Sequence, residues 1–372
     1  MNKKNRHIYA DNAATTELSQ KAYESMLPYL LYEYGNASQP YSFSRNSKKA
    51  LNESRATIAE CIGALPEEIY FTSCGTESNN WVIQGAIRQR LPIVTSSIEH
   101  HSILRPCSLT KKKQYLPVTN SGMVLPAALE KAISIANNGL VSIMYANNEI
   151  GTIQPIQELA YLAHNQGWLF HTDAVQAVGH THINVKELDI DMLSSSAHKF
   201  NGPKGIGFLY IKKGIDWPPL LLGGSQELGH RAGTENIASI VGMSVALREN
   251  YISLDRNITH LQTLEDILLT SLKDSGINFH RNGHPEHIAG NLSLSFIDKD
   301  GEAILHRLDL LGISISTGSA CDSKRTQISH VLKAINLDER RAKGTIRISL
   351  GHDNTIEDVK SIVNALVKVI NE

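Results

Sequence analysis

The sequence predicts an α/β protein built on a mainly parallel sheet. Short apolar runs of strand length alternate with helical patterns over most of the chain, which is typical of strand–helix–strand units. Polar residues, among them Asn147 and Asp173, follow several of these runs. The carboxyl edge of an open α/β sheet is where ligands bind. The predicted strands are 68–72, 92–95, 140–145, 167–171, 190–194 and 207–211.

The pattern changes after about residue 255. A long amphipathic helix is predicted at about 256–275, and alternating runs of the kind found in half-buried strands follow at 291–296 and 345–350. A last helix is predicted at about 355–371, so this part of the chain indicates a smaller α+β domain. The apolar face of the first helix carries Leu261, Leu264, Ile267, Leu268 and Leu272.

Length, composition and charge exclude several classes of protein. The chain has 372 residues, 41% hydrophobic and 20% charged, which is ordinary for a folded globular protein. The net charge of -1 lacks the basic excess of nucleic-acid binders, and neither a membrane span nor a secretory signal is expected. Four cysteines without a CxxC pair predict a reducing, cytoplasmic location and no disulfide framework.

Three local patterns point to a cofactor site. Lys199 lies in a turn of small residues directly after a predicted strand, where a desolvated amine is suited to forming a Schiff base. Asp173 ends another strand and is suited to pairing with a protonated pyridine nitrogen. The strand before Gly75 and Thr76 runs into a glycine turn that opens a helix, as phosphate sites do. Together they predict bound pyridoxal 5′-phosphate.

Each pattern taken alone has a more common explanation. A single turn lysine such as Lys199 is usually solvated. Asp173 alone is more often a helix N-cap, and Thr76 alone is more often a plain N-cap with Glu77 nearby. The cofactor interpretation therefore depends on the three patterns occurring together.

The chain resembles the class I cysteine desulfurases, which are fold-type I pyridoxal-phosphate enzymes, nearly from end to end. The resemblance implies a large domain (15–255) with a mainly parallel seven-stranded sheet, and a small α+β domain (1–14 and 256–372) that carries the catalytic cysteine. It rests on the ordered motifs DNAATT (11–16), FTSCGTESN (71–79), EH (99–100), NNEIG (147–151), HTDAVQ (171–176), AHK (197–199), GPKGIG (202–207), RAGTEN (231–236), TGSAC (317–321) and IRISLG (346–351).

The resemblance also implies the residues that hold the cofactor. Lys199 would attach it covalently, Asp173 would pair with the pyridine nitrogen and Gln176 would contact the phenolic oxygen. His100 would stack on the ring and help to move protons. Thr234 would reach the phosphate of the other subunit, which implies a homodimer. The phosphate itself would be bound by Gly75, Thr76, Ser196 and His198.

For the substrate, the resemblance implies L-cysteine, which is converted to L-alanine. Asn148 and Arg347 would hold its carboxylate, since the planar fork of arginine suits that group; an exposed strand charge is the alternative for Arg347. Cys321 would accept the sulfur as a persulfide. Lys324 and Arg325 follow it and favour its thiolate. Of the other cysteines, Cys61 and Cys107 fit buried packing. Cys74 lies in the predicted phosphate turn, where it would either pack or lie beside the cofactor, and no chemistry is assigned to it.

Some features depart from the family pattern. Tyr41 stands where members commonly carry a histidine, Lys324 and Arg325 replace small residues, and the chain ends soon after its last predicted helix. Tyr41 bears on the contribution of its segment to the active site, and Lys324 and Arg325 bear on loop charge or partner choice. The short end of the chain favours a dedicated sulfur-acceptor protein, as in tRNA thiolation or DNA phosphorothioation, while iron–sulfur assembly stays open. Selenocysteine lyase, another lyase on this fold, and a non-catalytic scaffold are the alternatives. No metal site is expected at His100-His101 or at 284–287.

Overall fold

The computed structural model describes residues 7–317 and 328–371, and a seven-stranded sheet is its largest element. The strands, in chain order, are β1 (Ile8–Tyr9), β2 (Ile69–Thr72), β3 (Ile93–Ser96), β4 (Lys113–Leu116), β5 (Leu140–Ser142), β6 (Leu169–Asp173), β7 (Met192–Ser196), β8 (Gly207–Ile211), β9 (His280–Asn282), β10 (Asn291–Ser295), β11 (Ile313–Ser314) and β12 (Thr345–Ser349).

Helices lie between most of these strands. They are α1 (Gln20–Leu31), α2 (Arg45–Ile62), α3 (Gly75–Arg88), α4 (His101–Cys107), α5 (Pro126–Ile133), α6 (Ile156–Asn165), α7 (Ile237–Ile252), α8 (Leu254–Asp274), α9 (Gly301–Leu310), α10 (His330–Ala334), α11 (Glu339–Lys343) and α12 (Ile356–Asn371). Within the described ranges, no helix has the length and apolar character needed to cross a bilayer.

The large sheet has the strand order β2-β8-β7-β6-β5-β3-β4. The pairs among β7, β6, β5, β3 and β4 are parallel, whereas β8 runs antiparallel to both of its neighbours. Because β8 is antiparallel to both β2 and β7, the strands β2 and β7 run in the same direction. The carboxyl ends of β2, β3, β5, β6 and β7 therefore meet at one edge. This arrangement confirms the predicted mainly parallel seven-stranded sheet.

Two strand ends lie further along the chain than the sequence predicts. The predicted strand 167–171 continues to Asp173, which pairs with Ser194, and the predicted strand 190–194 continues to Ser196, which pairs with Gly207. The prediction was wrong here because it followed apolar residues, while a ladder of backbone hydrogen bonds accepts polar side chains equally well. Both polar residues are consequently held rigidly at the sheet edge.

Of the four apolar cores among the described residues, the two largest lie on different parts of the chain. The first fills the large sheet and its helices, and the second joins β1, α8, β10, β12 and α12. On α8, the predicted apolar face is buried at Leu261, Leu264, Leu268 and Leu272 and half-buried at Ile267. The second core also contains Ile8 and Ala10. The domain boundaries themselves stay a prediction.

Candidate active site

A cavity of about 300 Å³ lies at the carboxyl edge of the large sheet, within the range usual for small-molecule sites. The main chain before α1 and the middle of β12 complete its wall. The predicted site residues that line it are Lys199, His100, Gly75, Thr76, Asp173, Gln176, Ser196, His198, Asn148 and Arg347.

Lys199 ends a single helical turn that directly follows β7. Its Nζ donates hydrogen bonds to the carbonyl oxygens of Ala13 at 2.6 Å and Ala14 at 2.8 Å. Gly202 permits the tight return of the chain, because a Cβ there would lie 2.9 Å from the carbonyl oxygen of Ala197. The solvated-turn alternative for Lys199 is therefore wrong, and the amine is held at the cavity wall.

Asp173 is 5% exposed and presents its carboxylate from the last position of β6. Its Oδ2 accepts a hydrogen bond from Asn79 Nδ2 at 2.6 Å, and its Oδ1 accepts one from the backbone N–H of Val175 at 3.1 Å. The chain directly after it forms turns, and no α-helix follows until Ile237. The N-cap alternative is therefore wrong, and the cavity contains a buried, fixed negative charge.

The other end of the cavity collects hydrogen-bond donors around the first turn of α3. The residue at the N-cap position is Cys74, not Thr76, so the N-cap alternative for Thr76 is wrong. A Cβ at Gly75 would lie 2.5 Å from Val175 Cγ2, so glycine lets the helix start approach this wall. The first amide groups of a helix lack intrahelical acceptors and attract anions.

Two side chains add to this set of donors. Ser196 Oγ is buried and finds no hydrogen-bond partner within residues 7–317 and 328–371. His198 Nδ1 lies 3.2 Å from Thr15 Oγ1. Burial, together with the charges of Lys199 and Lys204, lowers the pKa of His198 to about 4. A neutral imidazole and an unpartnered hydroxyl fit a bound phosphate, as does the helix start.

His100 lies at the N-cap position of α4. Its Nδ1 accepts the backbone N–H of Ser102 at 3.1 Å and lies 2.7 Å from Ser102 Oγ. Burial is the main cause that lowers the pKa of His100; the charges of Lys199 and Arg105 act in the same direction, and Asp173 opposes them. The ring is therefore neutral at neutral pH.

Arg347 lies in the middle of β12 and is 3% exposed, so the alternative of an exposed strand charge is wrong. Its Nη1 donates to the carbonyl oxygen of Asn148 at 2.9 Å, and its Nη2 donates to Asp11 Oδ1 at 2.6 Å. Its Nε is buried and has no acceptor among the described residues. The guanidinium thus presents a fixed cation to the cavity.

Several residues singled out from the sequence are not among those that line the cavity. Thr234 lies at the surface and does not line the cavity of its own chain. Cys321 lies outside the described residues, as do Lys324 and Arg325. Tyr41, which is 49% exposed, does not line the cavity either.

The described residues on both sides of the Cys321 segment are anchored near the cavity. Before it, the backbone N–H of Arg347 donates to Ser316 O at 2.6 Å. After it, Ser329 Oγ donates to Glu149 Oε2 at 2.6 Å, and His330 Nε2 donates to Glu99 O at 3.0 Å. Arg347 lines the cavity, and Glu99 and Glu149 directly adjoin the lining residues His100 and Asn148.

Sequence reasoning missed three polar residues at this site. Asn79 and Ser102 line the cavity, and Asp11 pairs with Arg347. Asn79 follows Thr76 by three positions on α3, which places the two on one face of the helix. That spacing is the signal by which Asn79 could have been found. Within the described ranges, no three His, Cys, Asp or Glu side chains are grouped as metal ligands.

Fold and cavity together define a class of protein: an α/β enzyme whose site combines a half-buried lysine, a carboxylate, an anion-binding helix start and an arginine. The profile of the Aminotransferase class-V family matches residues 8–362. The chain is 45% identical to the cysteine desulfurase IscS of Dictyoglomus turgidum, over 99% of this chain and 95% of that protein.

Solved structures of similar proteins support the same family. One described as a NifS-like protein matches with a TM-score of 0.91 and 35% identity, over 98% of this chain and 99% of that one. Another, described as SspA in complex with cysteine, matches with a TM-score of 0.83 and 34% identity, over 94% of this chain and 100% of that one. The chain therefore belongs to the class I cysteine desulfurases, within the class-V aminotransferase family, as its motifs predicted.

Proposed function

We propose that this protein converts L-cysteine to L-alanine and retains the sulfur as a persulfide on Cys321. One observation carries the proposal: a single cavity is lined by Lys199, Asp173 and Arg347 together. The anchors at Ser316 and Ser329 support the role of Cys321, because they keep both ends of its segment near this cavity.

The cavity fits pyridoxal 5′-phosphate. Lys199 would attach it, Asp173 would pair with its pyridine nitrogen, Gln176 would contact its phenolic oxygen and His100 would stack on its ring. When bound, the cofactor supplies an electron sink for the pair released as the substrate Cα proton leaves. The phosphate would take the donors of Gly75, Thr76, Ser196 and His198, among which Ser196 Oγ has no partner in the described part of the chain.

Side chains of this protein would orient the substrate and remove its Cα proton. Arg347 and Asn148 would orient the substrate carboxylate and thereby set which bond at Cα faces Lys199. The Lys199 amine would then take the Cα proton, acting as a general base. The nearby Ala13 and Ala14 carbonyls hold this amine at the wall of the cavity until substrate arrives.

In the proposed sulfur transfer to Cys321, one S–S bond replaces one C–S bond. The Cys321 thiolate attacks the substrate sulfur, an S–S bond forms, and the C–S bond breaks with its electron pair left on the former cysteine Cβ. Protonation of that carbon, together with return of a proton from Lys199 to Cα, yields L-alanine, so no external oxidant or reductant is needed for this step. The thiolate is the reactive form of the side chain.

The test is turnover by the purified, cofactor-loaded protein with L-cysteine. We expect L-alanine and, in the presence of a reducing thiol, sulfide in equal amounts. L-selenocysteine is assayed in parallel to separate a selenocysteine lyase. Absence of L-alanine above a protein-free blank would overturn the proposed function.

The carboxylate role of Arg347 makes a separate prediction. Arg347→Lys keeps the charge beside Asp11 but loses the planar fork, so we expect the KM for L-cysteine to rise about tenfold or more with a smaller change in kcat. Steady-state kinetics measure both constants. The control is Arg281→Lys, because Arg281 also has a buried Nε without a described acceptor and pairs with Glu265 away from the cavity. Equal KM values in the two variants would contradict the role.

A homodimer is the second part of the proposal. Leu222 and Leu228 are 85% and 72% exposed, in the loop that leads to Thr234. Glu227 between them is 6% exposed, and its carboxylate accepts two hydrogen bonds from Arg55 of α2, which holds Leu228 at the surface. A second copy of the chain would cover these apolar side chains. Thr234 would then contact the phosphate of the cofactor bound to that second copy.

We predict that replacing Leu222 and Leu228 together by Glu weakens this association by at least about 10²-fold, because each charge would be buried unpaired. Sedimentation velocity over a concentration series measures the change. Leu310→Glu is the control, since Leu310 is 86% exposed on α9. An unchanged dimer in the double variant would show that another surface carries the association.

The sulfur acceptor is proposed to be a protein. The near-zero net charge of the chain gives no general attraction to nucleic acid, so we infer transfer to a partner protein of an iron–sulfur, tRNA-thiolation or DNA-phosphorothioation system. A reducing, cytoplasmic location would keep the Cys321 thiol available. The described cysteines are free thiols, at Cys61, Cys74 and Cys107.

A further inference from the structure

A row of four hydrogen-bonded side chains crosses one wall of the cavity, from Asp173 to His100. Asn79 Nδ2 donates to Asp173 Oδ2 at 2.6 Å and to Ser102 Oγ at 2.8 Å. Ser102 Oγ in turn lies 2.7 Å from His100 Nδ1, which also accepts the backbone N–H of Ser102 at 3.1 Å. The two middle residues, Asn79 and Ser102, are 0% and 6% exposed.

The direction of every bond in this row follows from its charged end. An ionised carboxylate only accepts, so the amide nitrogen of Asn79 faces Asp173. The second hydrogen of that nitrogen occupies a lone pair of Ser102 Oγ. The Ser102 hydroxyl hydrogen is then directed at His100 Nδ1, which must carry no hydrogen of its own. The hydrogen of the neutral ring therefore lies on Nε2.

We propose that Asn79 and Ser102 are positioning residues that use the charge of Asp173 to hold His100 as the neutral tautomer with its hydrogen on Nε2. The inference rests on the proposed function of the cavity and deepens it. In this tautomer His100 offers a ligand a hydrogen-bond donor and not an acceptor. The base for the substrate Cα proton is therefore Lys199.

Protonation of His100 would disturb this row. A hydrogen on Nδ1 would point at the backbone N–H and at the hydroxyl hydrogen of Ser102, which are both donors. The Ser102 hydroxyl would then have to rotate, and it would lose the hydrogen bond that it accepts from Asn79. The charged and titratable groups that act on His100 are Asp173, Lys199, His101 and Arg105, and burial acts in the same direction as the last three. The charge of Asp173 acts on the ring through space and favours imidazolium, whereas its hydrogen-bonded connection to the ring runs through Asn79 and Ser102.

The test is nitrogen NMR of the cofactor-loaded, full-length protein labelled at its histidines, with the His100 signals identified by their loss in His100→Gln. In the parent protein we expect the shifts of a neutral ring protonated on Nε2 around neutral pH. In Asn79→Ala and in Ser102→Ala we expect a larger share of the tautomer protonated on Nδ1, while the remaining backbone N–H of Ser102 continues to favour Nε2. The pKa of His100 should rise by about half to one unit, as loss of one hydrogen bond predicts.

The double variant Asn79→Ala/Ser102→Ala shows whether the two residues act on His100 in series or independently. Because Asn79 and Ser102 act in series, replacing both should shift the His100 signals no further than the larger single change. Asn282→Ala is the control, since Asn282 is also buried, donates to two serine hydroxyls and has an Oδ1 without a described partner. It should leave the His100 signals unchanged.

Unchanged His100 signals in both single variants would overturn the inference, and Ser102→Ala keeps it testable if Asn79→Ala fails to fold. The NMR result does not depend on turnover. Absence of L-alanine from the parent protein would therefore overturn the proposed function alone, while unchanged tautomers in an active enzyme would overturn this inference alone.

Discussion

Lys199→Ala is expected to lower kcat for L-alanine formation by on the order of 10²–10⁴-fold, because it removes the group proposed to attach the cofactor and to take the Cα proton. The Nζ that is lost lies within 2.8 Å of the Ala13 and Ala14 carbonyls, and no other lysine lines the cavity in the described part of the chain. A neighbouring amine is therefore not in place to substitute for it.

Borohydride reduction followed by mass spectrometry tests the attachment separately from turnover. The parent protein should gain one covalently fixed cofactor, and Lys199→Ala should gain none. The control is Lys213→Ala, because Lys213 follows the neighbouring strand β8 and pairs with Glu67 at the surface. Covalent labelling of Lys199→Ala at the parental level would contradict the proposed attachment.

Cys321→Ala is expected to abolish persulfide formation and to lower sulfur release by on the order of 10³-fold or more, because the nucleophile is removed. Cofactor loading should be unaffected, since the cofactor contacts proposed above involve other residues. The measurement is mass spectrometry after one turnover, which should find one added sulfur atom on the parent protein and none on the variant.

A buried cysteine provides the matched control. Burial raises the pKa of Cys61 to about 11, so this side chain remains a thiol at neutral pH and does not act as a nucleophile. Cys61→Ala should therefore accept sulfur at Cys321 as the parent does. Persulfide that forms in Cys321→Ala, or that disappears in Cys61→Ala, would show that Cys321 is not the acceptor.

The strand ends show where sequence reasoning loses accuracy. The apolar runs located six of the seven strands of the large sheet, since strands buried on both faces need such runs. The same rule ended β6 before Asp173 and β7 before Ser196, although both residues continue the backbone ladder. β4 at the sheet edge was missed because its pattern is polar and exposed.

Distance along the chain explains the polar contacts that were missed. Asn79 and Asp173 are 94 positions apart, and Asp11 and Arg347 are 336 positions apart. Periodicity and motif spacing report on neighbours within a helix or strand, so they do not reveal such pairs. The motifs indicated which residues to examine but not which of them contact each other.

By itself the sequence determined the α/β class, the family and the chemical types available at the site, because these follow from local patterning and from the order of short motifs. Tertiary structure alone decided that Lys199 is half-buried and Arg347 is buried at the cavity, and that Asp173 is not a helix cap. It also decided that Asn79 and Ser102 connect Asp173 to His100 by hydrogen bonds. A hydrogen bond needs two atoms within about 3 Å of each other, and only the folded chain brings together groups so distant in sequence.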